Sequence, residues 1–592
     1  MRMRPLTLED GLYLLAFGLA LFLRLFHLGA APLSDAEATW ALQALEIARG
    51  GQPLLGAQPG YILLTGLAFG VLSATGFLAR LLPAVAGSLL VLLPILLRPW
   101  LGETPRLRWS GLILAFGLAV DPGLVVLSRT AGSQMPALAF SLLALVLFAR
   151  RRMIAAGIAA GLALLSGPAL LHGALILALS WGAYRLMVQL LQRLPREEAS
   201  EHVRLLELPP IERPALRNGL LALGGTIFFA GLLFLRFPGG LGALASTLPE
   251  YLRGWVEPSG IPALRLPAAL GVYQTLVVVL ALIAAWRAWW HLLDGGRRER
   301  LAAGLSLWVL IGLLVAMLYL ARQSGDLAWA LVPLWGLAAL ELARHLPGIE
   351  HRSIRLVAAG LATLLCILAV VMWVNLLNIG RYQVNTSLYW IVLLGALLLG
   401  TVSTLLVAAG WSTLSARLGV IWAMTVVLGM ILLSATWGAA YVRPHSALEL
   451  WSTSPAVGQA DLLVRTLTDL SRRSTGHDTE IEIVLLDDSP ALQWALRQFP
   501  NLRTASLLAA TDAPPVVIAA QIAQTPSLAQ AYRGQDLVWR IRPAWEMALP
   551  PNFTAWLAFR QAPLTTEQLI LWARGDLFPG GLEALSGEAD AP

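Results

Sequence analysis

The sequence predicts an all-α polytopic membrane domain followed by a soluble α/β domain. Three observations lead there. Of 592 residues, 57% are hydrophobic and 13% charged, where a soluble globular protein carries about 25% charged residues. Thirteen apolar runs, most long enough to cross a bilayer as helices, follow one another up to residue 441. Beyond residue 442 Asp, Gln, Thr and Pro return to the amounts of a soluble protein.

The elements follow in order. Arg2 and Arg4 precede the apolar run Gly11–Phe22, which continues past Arg24, so a first crossing helix is expected rather than a cleaved leader. The thirteen runs are 11–30, 78–98, 109–128, 134–149, 153–167, 168–185, 218–237, 267–290, 301–320, 327–343, 356–378, 388–409 and 418–441. A further run, 61–74, is apolar but short. With the N-terminus inside and 61–74 lying at the outer interface, the inner segments carry 22 arginines. Making 61–74 a crossing helix would turn most of these outward, against the positive-inside rule. About thirteen helices are therefore expected over 1–442, with an outer loop 31–77 that holds interfacial segments.

An odd count places the tail, 443–592, outside a plasma membrane whose inner side holds the N-terminus. In the tail, Glu480–Leu486, Pro515–Ala520 and Leu537–Arg542 read as strands. Pro490–Phe499 and Leu569–Arg574 read as helices, and Pro579–Pro592 as a frayed end. The inner loop Arg185–Arg217, with six Arg and five Glu, is suited to lie on an anionic leaflet.

Composition excludes several chemistries. All 42 basic residues are arginine, so no Schiff-base or P-loop lysine exists. The single cysteine, Cys366, permits no internal disulfide and no cysteine metal cage. HExxH, GxSxG, Walker and Rossmann signatures are missing. The net charge of +7 sits between apolar runs, which is a topology signal and not a nucleic-acid footprint.

Three outer turns carry candidate chemistry. In Pro32-Leu33-Ser34-Asp35-Ala36-Glu37-Ala38, two carboxylates lie just beyond the first helix. Either could accept a proton or hold a cation, or could belong to a helix cap. In Leu127–Gln134, Arg129 could clamp a phosphate or anchor a helix. In Arg322–Asp326, Arg322 could contact a phosphate or pair with Asp326. Arg24, His27, Asp121 and His172 are further ionisable groups near helix ends, and Asp487-Asp488 read as a solvated turn. The turns share one membrane face, which permits convergence.

At these residues the chain resembles the GT-C membrane glycosyltransferases. The first loop is similar to their carboxylate-bearing loop, and Ala79-Arg80-Leu81-Leu82-Pro83-Ala84-Val85-Ala86-Gly87 to the entry of their second helix. Leu127-Ser128-Arg129 resembles a further turn, and Ala330–Leu340, with Pro333, a late helix. The closest shapes are the family 39 type, including protein O-mannosyl and aminoarabinose transferases. An archaeal flippase-associated family has a tail similar to Ser489–Asn501. The resemblance implies a GT-C fold and transfer of a sugar from a polyprenyl-phosphate donor to a glycan, lipid or protein acceptor on the outer face. It implies Asp35 or Glu37 as base, Arg129 and Arg322 on the donor phosphate, and no nucleic-acid partner. It names no cofactor and leaves a divalent metal open.

Two positions depart from the family pattern. Adjacent Asp-Glu is here Asp35-Ala36-Glu37, and a one-residue shift at a helix start turns a side chain by about 100°. Gln134 stands where the family has Asp, and an amide cannot serve as a base. Two readings stay open: a divergent transferase, or a non-catalytic protein that binds or hands over lipid-linked glycans.

Overall fold

The computed structural model describes residues 7–101, 105–192, 213–292, 296–345, 352–382, 387–452, 454–509, 511–521 and 528–578. Most of the inner loop 185–217 and the end 579–592 lie outside the described residues.

The first helix, α1 (Leu8–Leu25), starts at a capping box in which Thr7 and Asp10 satisfy each other's backbone N–H. Then come α2 (Asp35–Ala48), α3 (Pro59–Val71), α4 (Gly76–Leu89) and α5 (Leu93–Leu101). They are followed by α6 (Pro105–Val120), α7 (Pro122–Ser128), α8 (Gln134–Ala149), α9 (Met153–Leu164), α10 (Pro168–Gln192) and α11 (Arg213–Leu232). Next are α12 (Gly239–Ala245), α13 (Thr247–Arg253), α14 (Arg265–Tyr273), α15 (Thr275–Trp290), α16 (Arg297–Leu318) and α17 (Ala328–Leu342). The membrane domain closes with α18 (Arg352–Tyr382), α19 (Ser387–Gly410) and α20 (Thr413–Trp437). The chain is a multi-pass membrane protein.

All thirteen apolar runs contain helix. Among the described residues eight helices are long and apolar enough to cross, or up to ten if each bent pair is one span. One bend, of 52°, lies between α6 and α7, where Asp121-Pro122 interrupts the run; the other, of 99°, separates α14 from α15. Proline removes the N–H that a continuous helix needs at Pro122. Helices α8 and α9, at 16 and 12 residues, are shorter than a bilayer core requires. The run 61–74 forms α3, a 13-residue helix of about 20 Å. It packs against α2 and α4.

Helix α9 meets α11 through small residues. A Cβ on Gly157 would lie 2.1 Å from the Gly219 carbonyl oxygen, so only glycine admits this approach, as at many membrane helix contacts.

The tail forms a six-stranded sheet ordered β1-β5-β6-β4-β2-β3. The strands are β1 (Ala456–Val457), β2 (Ile483–Leu485), β3 (Leu502–Thr504), β4 (Val516–Ala520), β5 (Tyr532–Pro543) and β6 (Leu564–Arg574). β2 runs parallel to β3 and β4, and the other pairs are antiparallel. The expected strands are present. The expected helix at Leu569–Arg574 is instead part of β6. Leu569, Leu571 and Ala573 are buried at every second position, and β4 and β5 flank the strand, so the period-two face wins. The expected helix Pro490–Phe499 ends early, as α22 (Pro490–Ala495). Helix α21 (Ala460–Thr475) buries Leu463, Leu467 and Leu470 with the sheet and stops at Gly476, whose φ of 78° suits glycine. The last helix is α23 (Phe553–Phe559).

Sheet domain and membrane domain share packing. One apolar cluster joins Leu33, Ala38, Ala41, Tyr61 and Leu63 to Leu492, Trp494, Ile518 and Trp539. The connecting segment is clamped: Trp451 is 2% exposed, Arg265 Nη2 donates to the Ser452 carbonyl at 3.1 Å, and Trp556 Nε1 to that of Leu448 at 2.8 Å.

Candidate functional site

The first turn is built around the start of α2. Ser34 Oγ accepts from the Glu37 N–H at 3.4 Å and Glu37 Oε2 accepts from the Ser34 N–H at 3.0 Å, a reciprocal cap. That geometry sends the Glu37 carboxylate inward, where it is 1% exposed. Arg80 grips it bidentately, Nε to Oε1 and Nη2 to Oε2, both at 2.8 Å. The Ala131 N–H donates to Oε1 at 2.8 Å. Burial alone would raise the Glu37 pKa; the charges of Arg80 and His445 and the hydrogen bonds outweigh it and hold it at about 2. The remaining Arg80 donors reach the carbonyls of Leu28, Ala31 and Pro32.

Asp35, two residues earlier, points the other way, into the sheet domain. Its Oδ1 accepts from Ser489 Oγ at 2.6 Å and from the Ala491 N–H at 3.1 Å, and its Oδ2 from Arg540 Nε at 2.7 Å. Burial opposes ionisation, but the Arg540 and Ser489 bonds prevail and keep this carboxyl below the usual range. Asp35 thus holds the two domains together at α2. The nearby Asp487 serves a turn of its own, accepting from the Ser489 N–H at 2.8 Å.

The second turn answers the end of α1. Arg129 Nη1 donates to the carbonyls of Leu23, Arg24 and Phe26 and Nη2 to that of His27, at 2.7–3.4 Å. Its guanidinium lies 4.7 Å from the centre of the Tyr441 ring. The last carbonyls of a helix lack intrahelical partners and carry the negative end of the dipole, which explains a cation there. Arg24 is fully buried and donates to Ser128 Oγ and the carbonyls of Leu118 and Ala119. Asp121 caps α7 and accepts from Trp335 Nε1 at 2.8 Å. His445, in the left-handed region at φ 57°, sits in the field of Glu37, Arg80 and Arg129. Burial is the main cause that lowers its pKa to about 4. It is therefore neutral near pH 7.

In the third turn, Arg322 Nη1 donates to the Ile261 carbonyl at 2.8 Å, and its Nε is buried without a partner among the described residues. Arg322 and Asp326 do not pair. Asp326 Oδ2 instead accepts from the Gln323 N–H at 2.8 Å.

The three turns converge. Glu37 bonds Ala131, Gln134 Nε2 donates to Gln323 Oε1 at 2.9 Å, and the Ser133 N–H donates to Gln58 Oε1 at 3.1 Å. Asp35 and Glu37 flank this junction, each held by an arginine, and Arg129 is spent on α1. Sequence reading missed Arg80, Arg540 and His445 as partners. Arg80 had a signal: a lone guanidinium within an apolar run requires a buried partner. Arg540 and His445 had none, because they are 505 and 408 positions from their first-loop neighbours. Among the described residues no group of three or more His, Cys, Asp or Glu is placed to hold a metal ion.

No protein-family model matches the chain, and no curated protein matches it. Among solved structures, the chain is similar to ArnT from Cupriavidus metallidurans bound to undecaprenyl phosphate, with 16% identity and a TM-score of 0.47 over 83% of this chain and 86% of that one. It is also similar to the Archaeoglobus fulgidus oligosaccharyltransferase in its apo form, with 13% identity and a TM-score of 0.39 over 84% of this chain and 64% of that one.

Proposed function

We propose that this protein is a GT-C-type transferase that moves a sugar from a polyprenyl-phosphate donor to a glycan, lipid or protein acceptor at the outer face of the plasma membrane. The observation that carries the reading is the meeting of three turns, far apart in sequence, where a donor's phosphate would sit. Glu37 with Ala131 and Gln134 with Gln323 join them. Fixed cations there oppose the charge that develops on a departing phosphate. Arg129 contributes as a charge, its donors being engaged. Arg322 is better placed for direct contact, because fewer of its donors are engaged. The resemblance of the first loop and of 79–87 to GT-C enzymes supports the same reading, and charge-derived topology supports an outer site with the N-terminus inside.

A second reading is a protein that binds or hands over lipid-linked glycans without chemistry. It is favoured by the arginine partners of both Asp35 and Glu37 and by Gln134 in the second turn. The test is incubation of the protein in lipid with polyprenyl-phosphate hexoses. Release of free polyprenyl phosphate supports transfer; saturable donor binding without release supports the second reading.

A further inference from the structure

Beside the third turn lies a polar and aromatic group that the arginine cluster does not use. His172, the fifth residue of α10, is 2% exposed, and neither ring nitrogen has a partner among the described residues. Its ring stands edge-on to Tyr319, just past α16, at 5.3 Å and to Tyr251 of α13 at 6.2 Å. Tyr251 and Tyr319 stack at 5.4 Å, and Trp255 meets Tyr319 at 5.3 Å. The segment leading to Asp326 is tied to this group, the Ala321 N–H donating to the Gly254 carbonyl at 2.8 Å between Tyr251 and Trp255, and the Asp326 carboxylate interacts electrostatically with His172, Tyr251 and Tyr319.

Two features separate Asp326 from the first-loop carboxylates. Asp35 and Glu37 are each locked to an arginine, whereas Asp326 is held by the single Gln323 N–H on Oδ2. It also lies four residues from Arg322, beside Gln134 and Gln323. Buried polar atoms without hydrogen bonds lose hydration with nothing in exchange, so His172 marks a place where a hydroxyl-rich ligand gains affinity. Aromatic faces suit the C–H faces of a pyranose, and amides and a carboxylate suit its hydroxyls.

Resting on the transfer reading above, we propose that the transfer centre is this group, with Asp326 as the base. Asp326 Oδ1 takes the proton of the acceptor hydroxyl while the acceptor oxygen bonds to the sugar C1. The bond from C1 to the phosphate oxygen breaks, and its electron pair leaves with the polyprenyl phosphate, which Arg322 meets. Trp255, the partly exposed ring of the group, packs against the transferred sugar. Asp35 and Glu37 shape the neighbouring wall.

The test uses the full chain in lipid nanodiscs with polyprenyl-phosphate hexoses, and reads polyprenyl-phosphate release. Absence of release by the unaltered protein overturns the transfer reading, and this proposal with it. Given release, Asp326→Asn is expected to lower kcat by about 10²–10⁴-fold with donor KM little changed, and added formate, a small external base, to restore part of the rate. Asp326→Glu, which keeps the carboxylate, is expected to retain more activity than Asp326→Asn, and covers the case where the amide variant folds poorly. Release by Asp326→Asn at near the unaltered rate, or formate rescue of Asp35→Asn or Glu37→Gln instead, would overturn the proposal while leaving transfer intact.

Discussion

Glu37 and Arg80 show how a buried charge is tolerated at a membrane edge: each satisfies the other, and helix-end carbonyls take the remaining guanidinium donors. Removing one partner strands the other, which costs about 3–5 kcal/mol at buried pairs. Glu37→Gln is accordingly expected to lower the thermal midpoint sharply in detergent, and Glu37→Gln combined with Arg80→Met to lose less than the two single losses added together. The same residues predict acid behaviour. His445 is held near pKa 4 against an ordinary 6.5, and Glu37 near 2 against 4.5. Both values are depressed in the fold, so each group's stabilising share is complete above its ordinary pKa and disappears as pH falls through the folded value. Midpoints measured against pH should be flat above 7, fall from 6.5 toward 4 on account of His445, and fall again from 4.5 toward 2 on account of Glu37. His445→Asn should abolish the upper slope and shorten the lower one, since the His445 charge is among the causes that lower the Glu37 pKa. At this scale the sequence singled out the turns that meet, since Asp35, Glu37, Arg129 and Arg322 stand out against apolar runs. It could not show their partners, because a hydrogen bond such as Asp35 to Arg540 joins positions with no local relation.

At the scale of elements, two contacts govern how the site is framed. Helix α9 can lie against α11 only because Gly157 presents no Cβ to the Gly219 carbonyl. Gly157→Leu should separate the pair and cost about 1–3 kcal/mol or more, visible as a lower thermal midpoint. Helix α2 is joined to the sheet domain through Asp35, and its neighbour Arg49 donates to the Arg497 carbonyl at 2.9 Å. Asp35→Asn weakens that joint, and limited proteolysis is expected to cut the connection near residues 452–458 faster than in the unaltered protein. Elements were legible where one period dominated: the long apolar runs became helices, and 516–520 and 537–542 became strands. Leu569–Arg574 was misread because its alternation is set by strands on both sides, which a local window does not contain. The breaks at Asp121-Pro122 and between α14 and α15 were lost for a related reason, since hydropathy averages across a bend.

For the whole molecule, apolar content and the change after residue 442 were enough to read a membrane domain with a sheet-bearing tail. By length and composition eight to ten helices among the described residues suffice to cross, because several runs are short or bent. The proposed orientation rests on arginine placement and can be checked directly. In a Cys366→Ser background, Asp536→Cys on the exposed part of β5 should react with a membrane-impermeant maleimide in intact cells; reaction only after lysis would invert the topology and move the three turns inside. The shared apolar cluster of α2, α3 and the sheet packs the tail against the first outer loop, so it is not an appendage. The most direct test of the central claim, that the converging turns form a sugar-transfer centre, is release of polyprenyl phosphate from polyprenyl-phosphate hexoses by the full chain in lipid. The account predicts release that depends on time and protein and is lost when Arg322→Ala removes the guanidinium proposed to meet the donor phosphate. Saturable donor binding with no release from any hexose donor would contradict it.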